Sequence, residues 1–464
     1  MPRRAATLLL AAAALLAPAS PAAAATWSTP ANVSGPANDI GAYDLSFDAH
    51  GRALATWQAY RWKSGTPHGH YVLEGWRAAT RAPGAAAFDA PVTAPNFAAP
   101  PVLYGISRAV GLDQRSLGWN ACGERTAIRA DFGTSSATFG TPRTIATARG
   151  PGGDPRPAVA ANGAGIVLAA WTAVPGACGR SIVQFSLRRP GGSTFSTPQT
   201  LRGRGYNEKA SVAVGQGGDL LVAWERRLGN GRTAIEARYR QAGHSWGSVQ
   251  VLGQSTVEGP LTTAVAQNGR AYVAWSSLDL NETTGLHATF SVAVRPAGTG
   301  AFRAAQTLEK VATPIAYLPP LGPVLALSGT NALVAWTGND GAWRVRVAQT
   351  DSSGGFGGPQ TVSPAGSNAV LGDLAALPDG TAAVTWAGLG AENLPHDVWA
   401  AVRPRGASFG APEQVSAADL RVPVVGLDPV SDRPTVAWAE RVGPVSSVAT
   451  ITAYVRASTR DPAP

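Results

Sequence analysis

The stretch QAYRWKSGTPHGHY, residues 58–71, gathers side chains able to do chemistry: Tyr60, Trp62, His68, His70 and Tyr71. Exposed aromatic rings in one loop can stack on sugar rings or grip a peptide. His68 and His70 are spaced to share a metal, yet no Cys, Asp or third His lies near them, and no metal is expected. Other candidates are Asp39, Trp119, Tyr206 with Asn207 and Glu208, Glu225 with Arg226, Asp279 with Glu282, and Glu440 with Arg441. Two carboxylates could do glycosidic acid and base work, but that needs a fixed separation across a pocket, which spacing alone does not give when the partners are far apart in the chain. The ordinary fate of such charges is solvation or local pairing. No G-x-S-x-G elbow, H-E-x-x-H helix, calcium loop or phosphate loop is present, so no catalytic residue and no cofactor is assigned.

The elements that would hold these residues repeat. A short apolar run ends in tryptophan at Trp57, Trp171, Trp224, Trp275, Trp336, Trp386 and Trp438. From Trp171 onward the spacings are 53, 51, 61, 50 and 52 residues, and the 114 residues from Trp57 to Trp171 leave room for a further unit. That unit lies near AVGLDQR, residues 109–115, without its Trp, and its NACGERTAIRA matches GACGRSIVQF of the next unit. Runs such as Leu220, Leu221, Val222, Ala223 and Trp224 are apolar at consecutive positions, the mark of a strand covered on both faces. The tryptophans are therefore expected to fill space between sheets rather than to stack on ligand.

Each unit continues with a polar loop, a second strand, a Gly-rich turn and the phrase F-x-x-P-x-x-hydrophobic, and a further apolar stretch precedes the next Trp run. Four short strands per roughly 50 to 60 residues is the habit of a β-propeller blade; an immunoglobulin-like sandwich needs about twice that length. The closing phrase occurs at Trp27, Phe88, Phe139, Phe195, Trp246, Phe302, Phe356 and Phe409. The first copy opens the mature chain, whereas the last unit, PTVAWAER followed by VATITAYVRAS, has none. The expectation is an all-β, single eight-bladed propeller of four-stranded antiparallel blades, with seven blades as the alternative. Its N-terminal strand, 26–34, completes the last blade, 418–456; the propeller spans 26–456 and 457–464 form a disordered tail. Joining the termini removes the unpaired edges that an open array would expose.

The Gly-rich turn, aromatic and proline in PGGSTFSTP (190–198) and TWSTP (26–30) resemble the end of the Asp-box repeat of bacterial neuraminidases, S-x-D-x-G-x-T-W. The likeness covers the eight turns and is degenerate: only Thr350, Asp351, Gly354 and Phe356 in TDSSGGF approach the pattern. The resemblance implies a propeller, and Asp boxes are structural turns away from the sialidase active site. Sialidases also gather three arginines, a Tyr and Glu nucleophile pair and an acid/base carboxylate from several blades; no residue of this chain is matched to those roles.

Residues 1–25, MPRRAATLLLAAAALLAPASPAAAA, have the basic start, apolar run and small-residue end of a secretory signal, with cleavage expected after Ala25. No later run suits a membrane span, and the expected address is secreted and extracellular, in a bacterial source with Arg- and Ala-rich coding. The formal charge of +9 falls to +7 without Arg3 and Arg4. Lys63, Lys209 and Lys310 are the only lysines, and the arginines are spread over every segment. No nucleic-acid partner is expected from that spread, although attraction to acidic polysaccharide or anionic surfaces is compatible with it. Cys122 and Cys178, both in A-C-G at matching places of neighbouring units, are expected to form a disulfide, worth on the order of 4 kcal/mol if the loops lean together. Asn32 and Asn281 head glycosylation triplets that would be idle in a bacterium.

In propellers, ligands commonly meet the end formed by the sheet-to-sheet connections and the loops after the Trp strand. The residues expected there are Tyr60, Trp62, His68, Trp119, Tyr206, Asn207, Glu208, Glu225, Arg226 and Asp39. The functional expectation is a non-enzymatic, monomeric scaffold that binds carbohydrate or protein. Two alternatives stand beside it: a glycan-active hydrolase or lyase, to be recognised by paired carboxylates at the central mouth, and a structural component of the cell envelope or matrix.

Overall fold

The structure is a computed structural model. It describes residues 26–461 except 38, 65–69, 96, 98–99, 105–107, 121–122, 150–155, 176–178, 256–258, 282–284, 299, 314–321, 391–393, 418–420 and 443–451. The expected signal, residues 1–25, lies outside the described residues, as do Cys122, Cys178 and His68.

Strands and turns account for the chain, with no helix among the described residues. After β1 (Ala31–Asn32), the strands β2 (Asp39–Phe47), β3 (Ala53–Lys63), β4 (His70–Arg81) and β5 (Val92–Ala94) form one sheet. The next holds β6 (Val102–Tyr104), β7 (Arg108–Asn120), β8 (Gly123–Gly133) and β9 (Arg143–Arg149). A seven-stranded sheet follows: β10 (Ala158–Ala161), β11 (Val167–Ala173), β12 (Ser181–Arg188), β13 (Gln199–Val214), β14 (Leu220–Arg227), β15 (Thr233–Arg240) and β16 (Gln250–Ser255). Then come β17 (Leu261–Val265), β18 (Ala271–Asn281), β19 (Gly285–Arg295) and β20 (Gln306–Thr313), and β21 (Val324–Ser328), β22 (Asn331–Asn339), β23 (Trp343–Gln349) and β24 (Gln360–Thr361). β25 (Ala369–Ala376), β26 (Ala382–Leu389), β27 (Pro395–Arg403) and β28 (Glu413–Ala417) precede the final set, β29 (Val424–Leu427), β30 (Pro434–Val442) and β31 (Thr452–Thr459), whose fourth strand is β1.

All pairings are antiparallel, and the order within each sheet follows the chain, as in propeller blades. The seven-stranded sheet is two such sets that share a strand. The first part of β13 pairs with β12, from Phe185↔Gln199 to Ser181↔Gly205, and the second part pairs with β14, from Tyr206↔Arg227 to Val214↔Leu220. The innermost strands touch in succession, β2 to β6, β10, β13, β17, β21, β25 and β29, and β29 returns to β2. The ring is closed.

Closure is made by the two ends of the chain. Ala31 pairs with Ala457 and Asn32 with Arg456, Ser28 N donates to Thr459 O at 2.9 Å, and Val33 N donates to Val455 O at 2.8 Å. Trp27 bridges Arg460, and Asp461 N donates to Thr26 O at 2.8 Å. The closing strand thus continues past Arg456 through residues 457–461, expected from the sequence to be a disordered tail, because Thr26, Trp27, Ser28 and Ala31 of the incoming segment pair there.

The same join uses a position that recurs along the rim. At three other joins, the glutamine four residues after a closing aromatic clamps the backbone of the next one. Gln306 accepts from Phe356 N at 3.0 Å and donates to its carbonyl at 2.8 Å, and Gln360 does the same to Phe409 at 3.2 and 2.8 Å. Gln250 accepts from Phe302 N at 2.8 Å. At the seam the corresponding residue, Glu413, takes the indole N–H of Trp27 at 2.8 Å.

The core lies between neighbouring sheets. Trp57, Trp171, Trp224, Trp336, Trp386 and Trp438 are no more than 1% exposed, and each packs against the sheet before its own. Trp275 does likewise at 3%. β11 is buried at every position, as an uninterrupted apolar run requires. Three tryptophans also satisfy their indole N–H: Trp224 on Glu236 at 3.0 Å, Trp336 on Glu309 at 2.6 Å and Trp171 on Gln184 at 3.2 Å. The Asp-box-like turn holds its shape by Asp351, whose carboxylate accepts from Ser353 Oγ at 2.6 Å and Gly355 N at 3.1 Å while Gly354 takes φ +89°.

Candidate functional site

Antiparallel order sorts the connections. The β2–β3 and β4–β5 type turns fall at one end of the ring, here called lower, and the β3–β4 type connections with the passages between sheets fall at the other, the upper end. The expected site residues with described side chains lie toward the upper end, but the structure divides them by role.

The β3–β4 hairpin carries the aromatic set. Trp62 lies opposite Tyr71, and their rings meet edge to face, 5.0 Å apart at 70°. Tyr60 donates to Gln58 Oε1 at 3.1 Å and is the cross-strand partner of Asp39. Arg61 on the same hairpin pairs with Glu74 at 3.2 Å. Trp62 and Tyr71 are half-buried and His70 is exposed. Among the described residues no group of three His, Cys, Asp or Glu is placed to hold a metal.

Asp39 is 8% exposed and anchors the upper rim. Its carboxylate receives Arg421 at 2.8 Å, Arg441 at 3.3 Å and the backbone N–H of Ile40 at 3.0 Å. Arg441 therefore serves Asp39, while its sequence neighbour Glu440 pairs with Arg456 at 3.1 Å. Glu225 and Arg226 separate in the same way, since consecutive strand residues point to opposite faces. Arg226 donates to Glu236 at 2.7 Å, and Glu225, 1% exposed, stands 3.9 Å from Lys209. Asn207 is fully buried and structural: its backbone N–H donates to Ser181 Oγ and its side-chain amide to Ser181 O, at 2.6 and 2.7 Å. Glu208 pairs with Arg227 at 3.0 Å, and Tyr206, 55% exposed, lies under the Arg180 guanidinium at 5.8 Å. Trp119 pairs with Glu124 in the β7–β8 ladder.

Two carboxylates outside the expected set, Asp44 and Asp373, stand deeper, on innermost strands either side of β29. Asp44 of β2 lies opposite Thr56, and Asp373 of β25 opposite Thr385. Both sit just past bulges, at Ile40/Tyr43 and at Leu371/Asp373. At the second bulge Gly372 is required, because a Cβ there would stand 2.3 Å from Pro423 O. Asp373 accepts the N–H groups of Leu374 at 2.8 Å and Val425 at 3.2 Å. Crowding by protein raises its carboxyl to about 6, against those hydrogen bonds. Asp44 is raised to about 7, first by desolvation and then by the charge of Asp373. Beside Asp44, the Tyr43 hydroxyl donates to Val422 O, and burial pushes its pKa up. Below the two acids the channel opens into a cavity of about 800 Å³ walled by Leu45, Ala160, Val212, Ala264, Ala326 and Ala375, with the other inner strands around them. The lower part of the central passage is thus largely apolar, with Asp48 and Gln216 at its edge, and the two acids stand above it.

The fold and this arrangement define a β-propeller closed by its own termini. No protein-family model matches the chain. No curated protein matches it either. Among solved structures it is similar to the polysaccharide lyase Uly1, at 10% identity and a TM-score of 0.46, over 91% of this chain and 89% of that one. It is also similar to the Hadza microbial sialidase Hz136, at 13% identity and 0.35, over 72% and 74%. A third is the NanB sialidase from Streptococcus pneumoniae, at 12% identity and 0.37, over 95% and 71%.

Proposed function

We propose that the protein is a secreted, monomeric, non-enzymatic propeller that binds a carbohydrate or protein ligand at its upper end. The supporting observation is the edge-to-face pair of Trp62 and Tyr71, with Tyr60, on the β3–β4 hairpin. Two crossed rings leave π-faces on which sugar C–H groups or a peptide side chain can rest. The charged groups around them, Asp39, Arg421, Arg441, Arg61 and Glu74, are engaged with one another. Such an arrangement suits holding a ligand more than transferring its protons. No helix of the described residues is long and apolar enough to cross a membrane.

The test is a glycan array probed with the purified chain and with a Tyr60→Ala/Trp62→Ala variant. Signals lost in the variant support the reading, and signals unchanged by it sink the hairpin as the platform. No signal from either protein turns the search to a protein partner.

One observation favours a glycan-active hydrolase as the second reading: the Asp44 and Asp373 carboxyls, close enough for one to act on the other, are raised to about 7 and about 6, as acid/base groups require. Turnover of any array-positive glycan by the wild type, abolished in Asp44→Asn, would establish it. Binding without turnover would dismiss it.

A further inference from the structure

At the lower end, between the two sets that share β13, lies a separate cleft of about 650 Å³. This is within the roughly 300–1,000 Å³ usual for small-ligand sites. Its polar wall comes from the end of β15 and the turns after β12 and β15: Arg240, Arg189, His244 and Ser245. Its floor is Ile166, Leu187 and Leu220, with the indole of Trp246 to one side. Trp246 is fixed edge to face on Phe185 at 5.2 Å.

The cleft brings together donors that its own residues leave unmet. Some arginines elsewhere are taken up by Asp39, Glu236, Glu309 and Glu413, while others, Arg270 and Arg403 among them, also carry a buried Nε–H without an acceptor. Among the described residues Arg189 and Arg240 form no ion pair, and the Arg240 Nε–H is buried with no acceptor. The Trp246 indole N–H is also buried without an acceptor. Asp219 stands next to the lining Gly218 but does not answer these donors. Its Oδ1 accepts Ala242 N at 2.9 Å, and its Oδ2 lies toward Gly269, on the side of the neighbouring sheet. Buried donors without acceptors are costly, and a ligand that supplies acceptors relieves that cost.

We propose that this cleft binds a carboxylated sugar residue, as in a uronic-acid oligosaccharide. The guanidinium forks of Arg189 and Arg240 match a planar carboxylate. The aliphatic floor and indole match the C–H face of a pyranose ring, and Ser245 and His244 offer hydrogen bonds to its hydroxyls. The site lies at the opposite end of the ring from the β3–β4 hairpin and is independent of the reading given for that hairpin.

The experiment is calorimetric titration of the purified chain with trigalacturonate, maltotriose, triglutamate and a sulfated trisaccharide. The expected result is binding of trigalacturonate alone or by a wide margin. Its affinity should fall about tenfold in each of Arg189→Gln and Arg240→Gln, the cost of one charged hydrogen-bonding partner. The melting temperatures of these variants should stay near that of the wild type, and Tyr60→Ala/Trp62→Ala should titrate like the wild type. Absence of trigalacturonate binding, or affinity unchanged in both arginine variants, overturns the proposal. Equal binding of triglutamate overturns the sugar assignment, and equal binding of the sulfated sugar overturns the carboxylate assignment. Loss in the Tyr60/Trp62 variant alone would place the acid-sugar site on the hairpin instead.

Discussion

Glu413 receives the indole N–H of Trp27 at 2.8 Å across 386 residues of chain, and the same carboxylate takes both Nε and Nη2 of Arg460, each at 2.8 Å. One side chain thereby holds the first strand, the last strand and the preceding sheet together.

Removing that carboxylate should loosen the seam. Glu413→Ala leaves a part-buried guanidinium and an indole N–H without their acceptor, at a cost of about 1–3 kcal/mol. Deleting residues 26–34 should go further, exposing the edge of β31 to other chains. Urea unfolding and light scattering check both. A deletion variant that stays monomeric with an unchanged midpoint would contradict the closure.

The Trp strands should behave as core. Trp224→Ala should cost about 3–5 kcal/mol by loss of packing, and more than Trp224→Phe. Both variants remove the bond to Glu236, a carboxylate 1% exposed that then relies on Arg202 and Arg226 alone. Chemical denaturation reads the difference. Array binding measured well below the melting transition should not change, because the ring is far from solvent.

The channel acids should make stability fall as pH rises. Asp44 and Asp373 titrate at about 7 and about 6 in the fold, against 3.8 for an ordinary Asp. Between about pH 4 and 7 the folded chain therefore binds more protons than the unfolded chain. The stability attached to these groups is complete below pH 4 and is lost as pH passes through the folded values. Asp44→Asn should flatten this slope and raise the melting temperature at pH 8 relative to the wild type. Parallel melting curves for the two proteins from pH 4 to 8 would refute the assignment.

Much of the architecture was legible because it follows from local rules. Leu220–Trp224 reads as a doubly covered strand, and it is one; TWSTP at the front reads as a displaced outer strand, and it pairs with β31. The tally of sheets is less direct, since six four-stranded sheets and one of seven strands are found, and the number depends on whether β13 is divided. The site was legible only in part. Tyr60, Trp62 and Tyr71 come together because a hairpin makes neighbours of them. Glu225 and Arg226 were paired by adjacency, whereas strand alternation sends them to different partners. Asn207, expected among the ligand-end residues, is buried and joins β13 to Ser181. Asp44 and Asp373 went unseen because one bulge residue decides which way a side chain points, and bulges leave only a glycine as a trace. Glu236 did leave a signal: a lone acid in the apolar run TAIEARYR, opposite Trp224.

β13 sets the third and fourth strand sets apart from the rest. Its hydrogen bonds pass from β12 to β14 through bulges beside Val183 and Lys209, so these two sets share one strand, while the first and last are laced together only by non-covalent contacts between the termini. A ring built this way has a release point. If it is ever prised apart, it will part at the lacing, and the Arg189–Trp246 cleft, away from that seam, will keep its walls.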